Sequence, residues 1–214
     1  MGETVQSLME DTIWVAHSLF ERGRTAGSTA NISFRYNGRI YISRTGSCLG
    51  RLTDRDFAVL EEKDGNLVTV SDNRPSKEYP LHWMIYKNDP SVNAVIHTHS
   101  FYSVLWSCLK HVDPDDLIPP YTPYLRMKTG KVRLVRYEKP GSQELFQAFS
   151  ERIEKGGTYL LQNHGPVVSG KNMMEAFYKC EELEESAKIA WYLRNEPKEA
   201  VLKIDIEATQ IFTS

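Results

Sequence analysis

The chain has 214 residues, with 26 Lys and Arg against 28 Asp and Glu, a formal charge of −2 at neutral pH. Hydrophobic residues make up 41% and charged residues 25%, a globular composition that excludes a disordered chain, a collagen and a coiled coil. So even a charge balance gives no support to a nucleic-acid partner, which selects clustered Lys and Arg.

Val5, Leu8, Met9, Ile13, Ala16, Leu19 and Phe20 recur at helical spacing and predict a helix over 5–22, stopped at Gly23. Two β-rich runs, 32–36 and 39–43, flank Asn37-Gly38, a hairpin signal because both residues accept positive φ. A second hairpin is predicted over 57–61 and 67–70 across Asp64-Gly65. A helix over 77–88 follows Pro75-Ser76, then a buried strand over 93–97 and a helix over about 100–110. The segment 112–130, rich in Pro, Tyr and Asp, reads as a long functional loop. Beyond it come a strand at 132–136, a helix at 142–155, strands at 158–161 and 166–169, and a long helix at 171–194. Glu184 and Lys188 are spaced on that helix for an i,i+4 pair. The tail after Pro197 is weakly patterned. With no repeat, linker or low-complexity segment, one α/β domain over 1–214 is the economical expectation.

No apolar run is long enough to span a membrane. Glu3, Glu10 and Asp11 replace the basic start of a signal peptide, and Gln6 stands where a myristoylation motif starting at Gly2 needs a hydroxyl. Cys48, Cys108 and Cys180 are odd in number and scattered, which makes neither a disulfide framework nor a zinc knuckle. A reducing, cytoplasmic setting is expected.

The chemical signal lies in histidines. His97-Thr98-His99 ends the apolar run Ala94-Val95-Ile96, and residues two apart on a strand share a face, so both imidazoles can point at one ion. His164, in Gln162-Asn163-His164-Gly165, ends another apolar run, where Gly165 would let the backbone turn sharply. Three His with an open position is the donor pattern of catalytic zinc. Taken alone, the HxH pair reads as readily as two unrelated core or surface histidines. Glu78, in Pro75-Ser76-Lys77-Glu78, is a candidate acid/base beside that metal. A Glu in a first helical turn also complements the helix dipole, and residue chemistry alone favours that role. Gly27-Ser28-Thr29-Ala30-Asn31 and Thr45-Gly46-Ser47 offer N–H and O–H donors to an anion, with Ser76 and Lys77 adding a hydroxyl and a charge, although each loop alone is equally a set of turn residues. Tyr121 and Tyr124 lie in a Pro-rich loop, where packing is the commoner role and proton donation the more interesting one.

The succession GSTAN, TG, PSKE, HTH and NHG resembles the class II aldolase family, over roughly residues 5 to 195. That family includes fuculose-phosphate aldolase, ribulose-5-phosphate 4-epimerase and the adducin head domain. The resemblance implies a three-layer α/β/α domain with a central, largely antiparallel sheet. It implies one Zn2+ per subunit on His97, His99 and His164, Glu78 as acid/base, and a phosphate site at Ser28, Asn31, Thr45, Gly46 and Ser76. It also implies a homotetramer with active sites between subunits, where a neighbour's tyrosine, Tyr124 ahead of Tyr121, completes the site. Lys77 stands where the sugar-phosphate aldolases usually have a second Ser. That residue, the run Thr45–Gly50, Tyr121-Thr122-Pro123-Tyr124 and the acidic run 181–185 resemble the branch of 3-oxo-tetronate 4-phosphate decarboxylases.

The implied reaction is metal-dependent loss of carbon dioxide through an enediolate, leaving dihydroxyacetone phosphate. A zinc ion on neutral imidazoles would act as Lewis acid, and Lys77 would hold the carboxylate or the phosphate. A class II aldolase or epimerase at the same site is the second expectation, and a non-enzymatic, adducin-like interaction module the third. Fold alone does not choose among them.

Overall fold

The computed structural model describes residues 4–110, 112–202 and 204. The N-terminal Met1-Gly2 and Glu3, and most of the weakly patterned tail, lie outside them.

Helix α1 (Val5–Glu21) starts at a capping box, in which Thr4 and Ser7 satisfy each other's backbone N–H groups. Strands β1 (Asn31–Tyr36) and β2 (Arg39–Ser43) form the first predicted hairpin, with Asn37 at φ 48° and Gly38 at φ 76°. Both turn positions are left-handed, which is the twist a two-residue hairpin needs. The second hairpin, β3 (Phe57–Lys63) and β4 (Asn66–Thr69), repeats this at Asp64 and Gly65. Then follow α2 (Tyr79–Asn88), β5 (Ala94–His97), α3 (Phe101–Ser107), α4 (Pro123–Thr129), β6 (Val132–Val135), α5 (Gln143–Ser150), β7 (Thr158–Leu161), β8 (Gly165–Gly170) and α6 (Met173–Leu193).

The strands form one sheet in the order β4-β3-β2-β1-β5-β8-β7-β6. All neighbours are antiparallel except β6 and β7, which are parallel and joined by the crossover through α5. Side-chain alternation sends each strand's residues into two cores. Ile32, Phe34, Ala94, Ile96 and Val168 pack on one face with α1, α3, α4 and α6. Val95, Val135, Leu161 and Val167 pack on the other with α2 and α5. The expected three-layer α/β/α architecture with a largely antiparallel sheet is therefore the observed one. No helix among the described residues is long and apolar enough to cross a membrane.

The expected long loop at 112–130 contains α4, which opens on Pro123 at a position that needs no N–H and stops at Gly130, φ 64°. Leu125 and Thr129, one turn apart, are its buried residues, too few to show as a period among the surrounding Pro, Tyr and Asp. The expected Glu184–Lys188 pair also gives way. Glu184 is buried and accepts from the backbone N–H of Tyr102 (2.8 Å) and Ser103 (2.9 Å) and from the Ser103 hydroxyl (2.7 Å). It caps α3, because the Ser100 side chain at the N-cap donates instead to the Arg24 carbonyl. Lys188 lies over the Tyr102 ring, 5.9 Å from its centroid. Glu184→Ala would orphan the N–H groups of half-buried Tyr102 and buried Ser103. It is expected to cost about 2–4 kcal/mol, read as a lower urea midpoint.

One end of the sheet gathers the chemistry. Asn31 at the start of β1 pairs with His97 at the end of β5, and His97 with Val167 beside the β7–β8 turn. Arg44, just beyond β2, bridges to Pro75, and Ser76 donates its N–H to the Ser43 carbonyl, which brings the start of α2 to the same end.

Candidate active site

His97, His99 and His164 converge there. His97 Nε2 lies 3.3 Å from His99 Nε2 and 3.2 Å from His164 Nε2, and the three donor atoms lie within 4.8 Å of one another. His97 is fully buried and its Nδ1 donates to the Pro166 carbonyl at 2.8 Å. That carbonyl fixes the tautomer, so the His97 Nε2 lone pair faces its neighbours. Burial pushes His97 and His164 down to about 3, and His99 down as well, so protons do not fill the space between them near neutral pH. Converging lone pairs with no proton to share suit a divalent cation, and the cluster could hold a metal ion.

The carboxylate adds to this. Glu78 Oε2 is 3.4 Å from His97 Nε2 and Oε1 is 3.6 Å from His164 Nε2. Oε1 is buried and has no hydrogen-bond partner among the described residues, an orphan that a cation or a proton would satisfy. Glu78 occupies the N-cap of α2, yet its side chain makes no cap hydrogen bond. The helix-dipole role gives way to an inward-facing carboxylate, held at Oε2 by Asn31 Nδ2 at 3.1 Å.

The route by which the histidines meet differs from the expected one. Strand β5 ends at His97, so His99 lies beyond it and does not use strand alternation. Nor does the turn at 162–165 rest on a special φ at Gly165, because Asn163 is the left-handed residue, at φ 54°. Gly165 is needed for close approach: a Cβ there would sit 2.2 Å from the Thr98 carbonyl oxygen and 3.2 Å from His99 Cδ2. Gly165→Ala is expected to displace the 98–99 segment, at a cost of about 1–3 kcal/mol in stability. It should also cut metal affinity, which chelator competition would read; unchanged affinity would contradict that packing argument.

A cavity of about 310 Å³ opens beside the cluster, with His99, His164 and Glu78 in its wall. Ser28, Asn31, Thr45, Gly46, Ser76 and Lys77 line it too, so segments far apart in sequence meet around one space. Lys77 is an exposed cation whose stem lies on Gly141, where a Cβ would come within 2.9 Å of Lys77 Cδ. Arg44 and Pro140 also line the cavity and are absent from the sequence reading, whereas Thr29 and Ala30 belong to the expected Gly27–Asn31 run. Arg44 directly precedes Thr45-Gly46, and its Nε is tied to Asp56 at 2.8 Å. A cation beside a small-residue turn was the available signal. Tyr124 does not line this chain's cavity; it is 56% exposed on α4. Tyr121 is half-buried and packs against the core.

A model of the class II aldolase and adducin N-terminal domain matches residues 10–191. The chain belongs to the class II aldolase and adducin family. Among its relatives is a 3-oxo-tetronate 4-phosphate decarboxylase of Escherichia coli K12, 40% identical over 193 residues, 90% of each chain. An L-fuculose phosphate aldolase of Methanococcus maripaludis is 36% identical over 183 residues, 86% of this chain and 96% of that one. The crystal structure of YgbL, a putative aldolase/epimerase/decarboxylase from Escherichia coli, superposes with a TM-score of 0.85 at 37% identity, covering 93% of this chain and 94% of that one. Carbon–carbon lyases of two kinds thus share this class II aldolase fold.

The buried imidazoles also set a pH response for metal-free protein. His97 and His164 resist protonation in the fold down to about 3, whereas the unfolded chain takes up protons below the ordinary value of 6.5. Stability is full above that value and falls as pH drops through the window, by up to about 1.4 kcal/mol per pH unit for each such group. Urea unfolding of chelator-treated protein at pH 7.5 and 5.5 checks this, and a flat profile would contradict it.

Proposed function

We propose that the chain is a zinc-dependent carboxy-lyase that converts 3-oxo-tetronate 4-phosphate to dihydroxyacetone phosphate and carbon dioxide, with one ion per subunit on His97, His99 and His164. The carrying observation is the unpartnered Glu78 Oε1 facing three convergent imidazoles in the wall of a cavity that also holds two cations and several small donors. The relatives named 3-oxo-tetronate 4-phosphate decarboxylase, at 36–40% identity over most of the chain, support this substrate.

A bound divalent ion supplies Lewis-acid stabilisation of the negative charge that grows on the 3-oxo oxygen as the carboxylate leaves. The chain's own residues do the rest. Ser28, Asn31, Thr45, Gly46 and Ser76 bind the phosphate through hydroxyl, amide and backbone donors, and that remote contact orients the reacting carbons. Lys77 and Arg44 offset the charge of the phosphate and carboxylate. The breaking carbon–carbon bond leaves its electron pair in an enediolate, which takes a proton at carbon. Glu78 Oε1 holds that proton, or relays it from a tyrosine through water. Included in this reading are a homotetramer with sites between subunits, Tyr124 supplied by a neighbour, and a cytoplasmic setting. The exposure of Tyr124 on α4, away from its own cavity, supports the shared site.

The test uses substrate labelled with carbon-13 in the carboxyl group, zinc-loaded protein and a chelator-treated control. Metal-dependent appearance of label in bicarbonate, faster than background, is expected. Label retained in intact substrate overturns the decarboxylase reading. A second reading, a fuculose-phosphate-type aldolase or ribulose-5-phosphate 4-epimerase, is favoured by the Methanococcus relative. Cleavage of fuculose 1-phosphate or epimerisation of ribulose 5-phosphate would promote it.

A further inference from the structure

Behind Glu78 and Asn31, which line the cavity, runs a chain of buried polar groups, Ser33, His82 and Tyr86, that do not line it. Asn31, Ser33, Glu78, His82 and Tyr86 are all at most 4% exposed. Asn31 Nδ2 donates to Glu78 Oε2, so its Oδ1 is turned away from the carboxylate and toward His82 Nε2, at 2.6 Å. An amide oxygen only accepts, so His82 carries its proton on Nε2. Nδ1 is then a lone pair, and it faces the Ser33 hydroxyl at 2.7 Å. Ser33 Oγ therefore donates to His82, and the Tyr86 hydroxyl, 2.7 Å from Ser33 Oγ, donates to the Ser33 carbonyl at 3.1 Å. The donors of Ser33, His82 and Asn31 all point toward Glu78. Burial keeps His82 neutral, with its value pushed down to about 3. His82 and Tyr86 lie one and two turns along α2 from Glu78, and Ser33 two residues along β1 from Asn31.

An amide can be turned over by half a rotation at little cost in shape. Turned over, Asn31 would set its oxygen against the Glu78 carboxylate and its NH2 against His82. The Glu78 carboxylate and the protonated Nε2 of His82 together select the productive orientation, and the Ser33 hydroxyl, donating to Nδ1, matches that tautomer.

We propose that His82 is a positioning residue, which locks the Asn31 amide and through it the Glu78 carboxylate in the orientation that aims Oε1 at the imidazole cluster. The catalytic part of this inference rests on the decarboxylase reading; the tautomer it requires does not. Holding a reacting carboxylate through a second layer of hydrogen bonds is worth about 10- to 100-fold in activity.

The zinc-loaded protein is compared with His82→Leu, His82→Gln and Ser33→Ala. His82→Leu is expected to lower kcat by about 10- to 100-fold with KM within about twofold and metal content unchanged. His82→Gln, whose side-chain NH2 can still donate to Asn31 Oδ1, is expected to recover most of that loss. If the histidine only supports the fold, both variants melt earlier and kcat per metal-loaded site stays at the wild-type level, which overturns the proposal. Ser33→Ala guards against a Leu variant that fails to fold. It keeps the ring but frees the tautomer, and is expected to lower kcat without changing KM.

The independent readout is the nitrogen-15 spectrum of wild-type protein labelled at histidine, with the His82 signal identified by its loss in His82→Gln. An Nε2-protonated ring is expected, and mixed tautomers in Ser33→Ala. An Nδ1-protonated ring in the wild type overturns the relay. Because that spectrum needs no turnover, failure of the wild type to decarboxylate counts against the substrate and not against the relay.

Discussion

His99→Ala is expected to abolish turnover and bound metal while leaving the protein folded. Its loss separates the two effects where the loss of His97 would not. His97 is fully buried and ties the end of β5 to the Pro166 carbonyl, so its removal would open a core site as well. His99 lies beyond the strand, is half-buried and lines the cavity, so truncating it removes a donor at little cost in packing. Two imidazoles remain, too few for a three-nitrogen site with an open position. A lost Lewis acid withdraws several kcal/mol of charge stabilisation, which corresponds to a fall on the order of 10³-fold or more in kcat. Metal analysis, steady-state rates and circular-dichroism melting measure the three quantities separately. Full metal content in His99→Ala would refute its role as a ligand.

The elements that could be read from the sequence are those whose signals are local. Asn37-Gly38 and Asp64-Gly65 specify left-handed turns wherever they stand, and both hairpins formed around them. Helix ends are less well specified: the helices expected to reach 110 and 155 stop at Ser107 and Ser150. Glu184 shows why pair rules fail indoors. Spacing offers it Lys188, but burial gives it the unfilled N–H groups of α3, some 80 residues away in sequence. The same distinction runs through the site. HTH and NHG mark candidate ligands by residue type alone, yet what brings them together is the pairing of β5 with β8 and the close approach that only glycine permits at 165. The inward turn of Glu78 was illegible because it depends on Asn31, 47 residues away, and on a histidine behind that amide. The spacing of Glu78 and His82 put both on one face of α2, a hint that carried no information about β1.

Glu78→Gln separates holding a proton from holding a place. Glutamine has the shape of glutamate, and Asn31 Nδ2 requires an acceptor opposite it, so the variant's carbonyl takes the Oε2 position and its NH2 takes that of Oε1. The group that faces the imidazoles then can neither accept nor release a proton at neutral pH. Metal content is expected to stay near that of the wild type, since the three nitrogen donors are untouched, and KM to change little. The expected drop in kcat is about 10²- to 10⁴-fold, the usual scale of lost general acid–base catalysis. Deuterated water adds a stereochemical readout. A proton delivered from Oε1 reaches one face of the enediolate, so wild-type protein should set a single deuterium with one configuration at the carbon that lost its carboxylate. In the variant the enediolate is expected to escape and be protonated by solvent, giving both configurations. Near-normal kcat with full metal loading would remove Glu78 from the proton transfer. A slow variant that still deuterates one face only would hand the transfer to another group, and Tyr124 of a neighbouring subunit would be the next to replace.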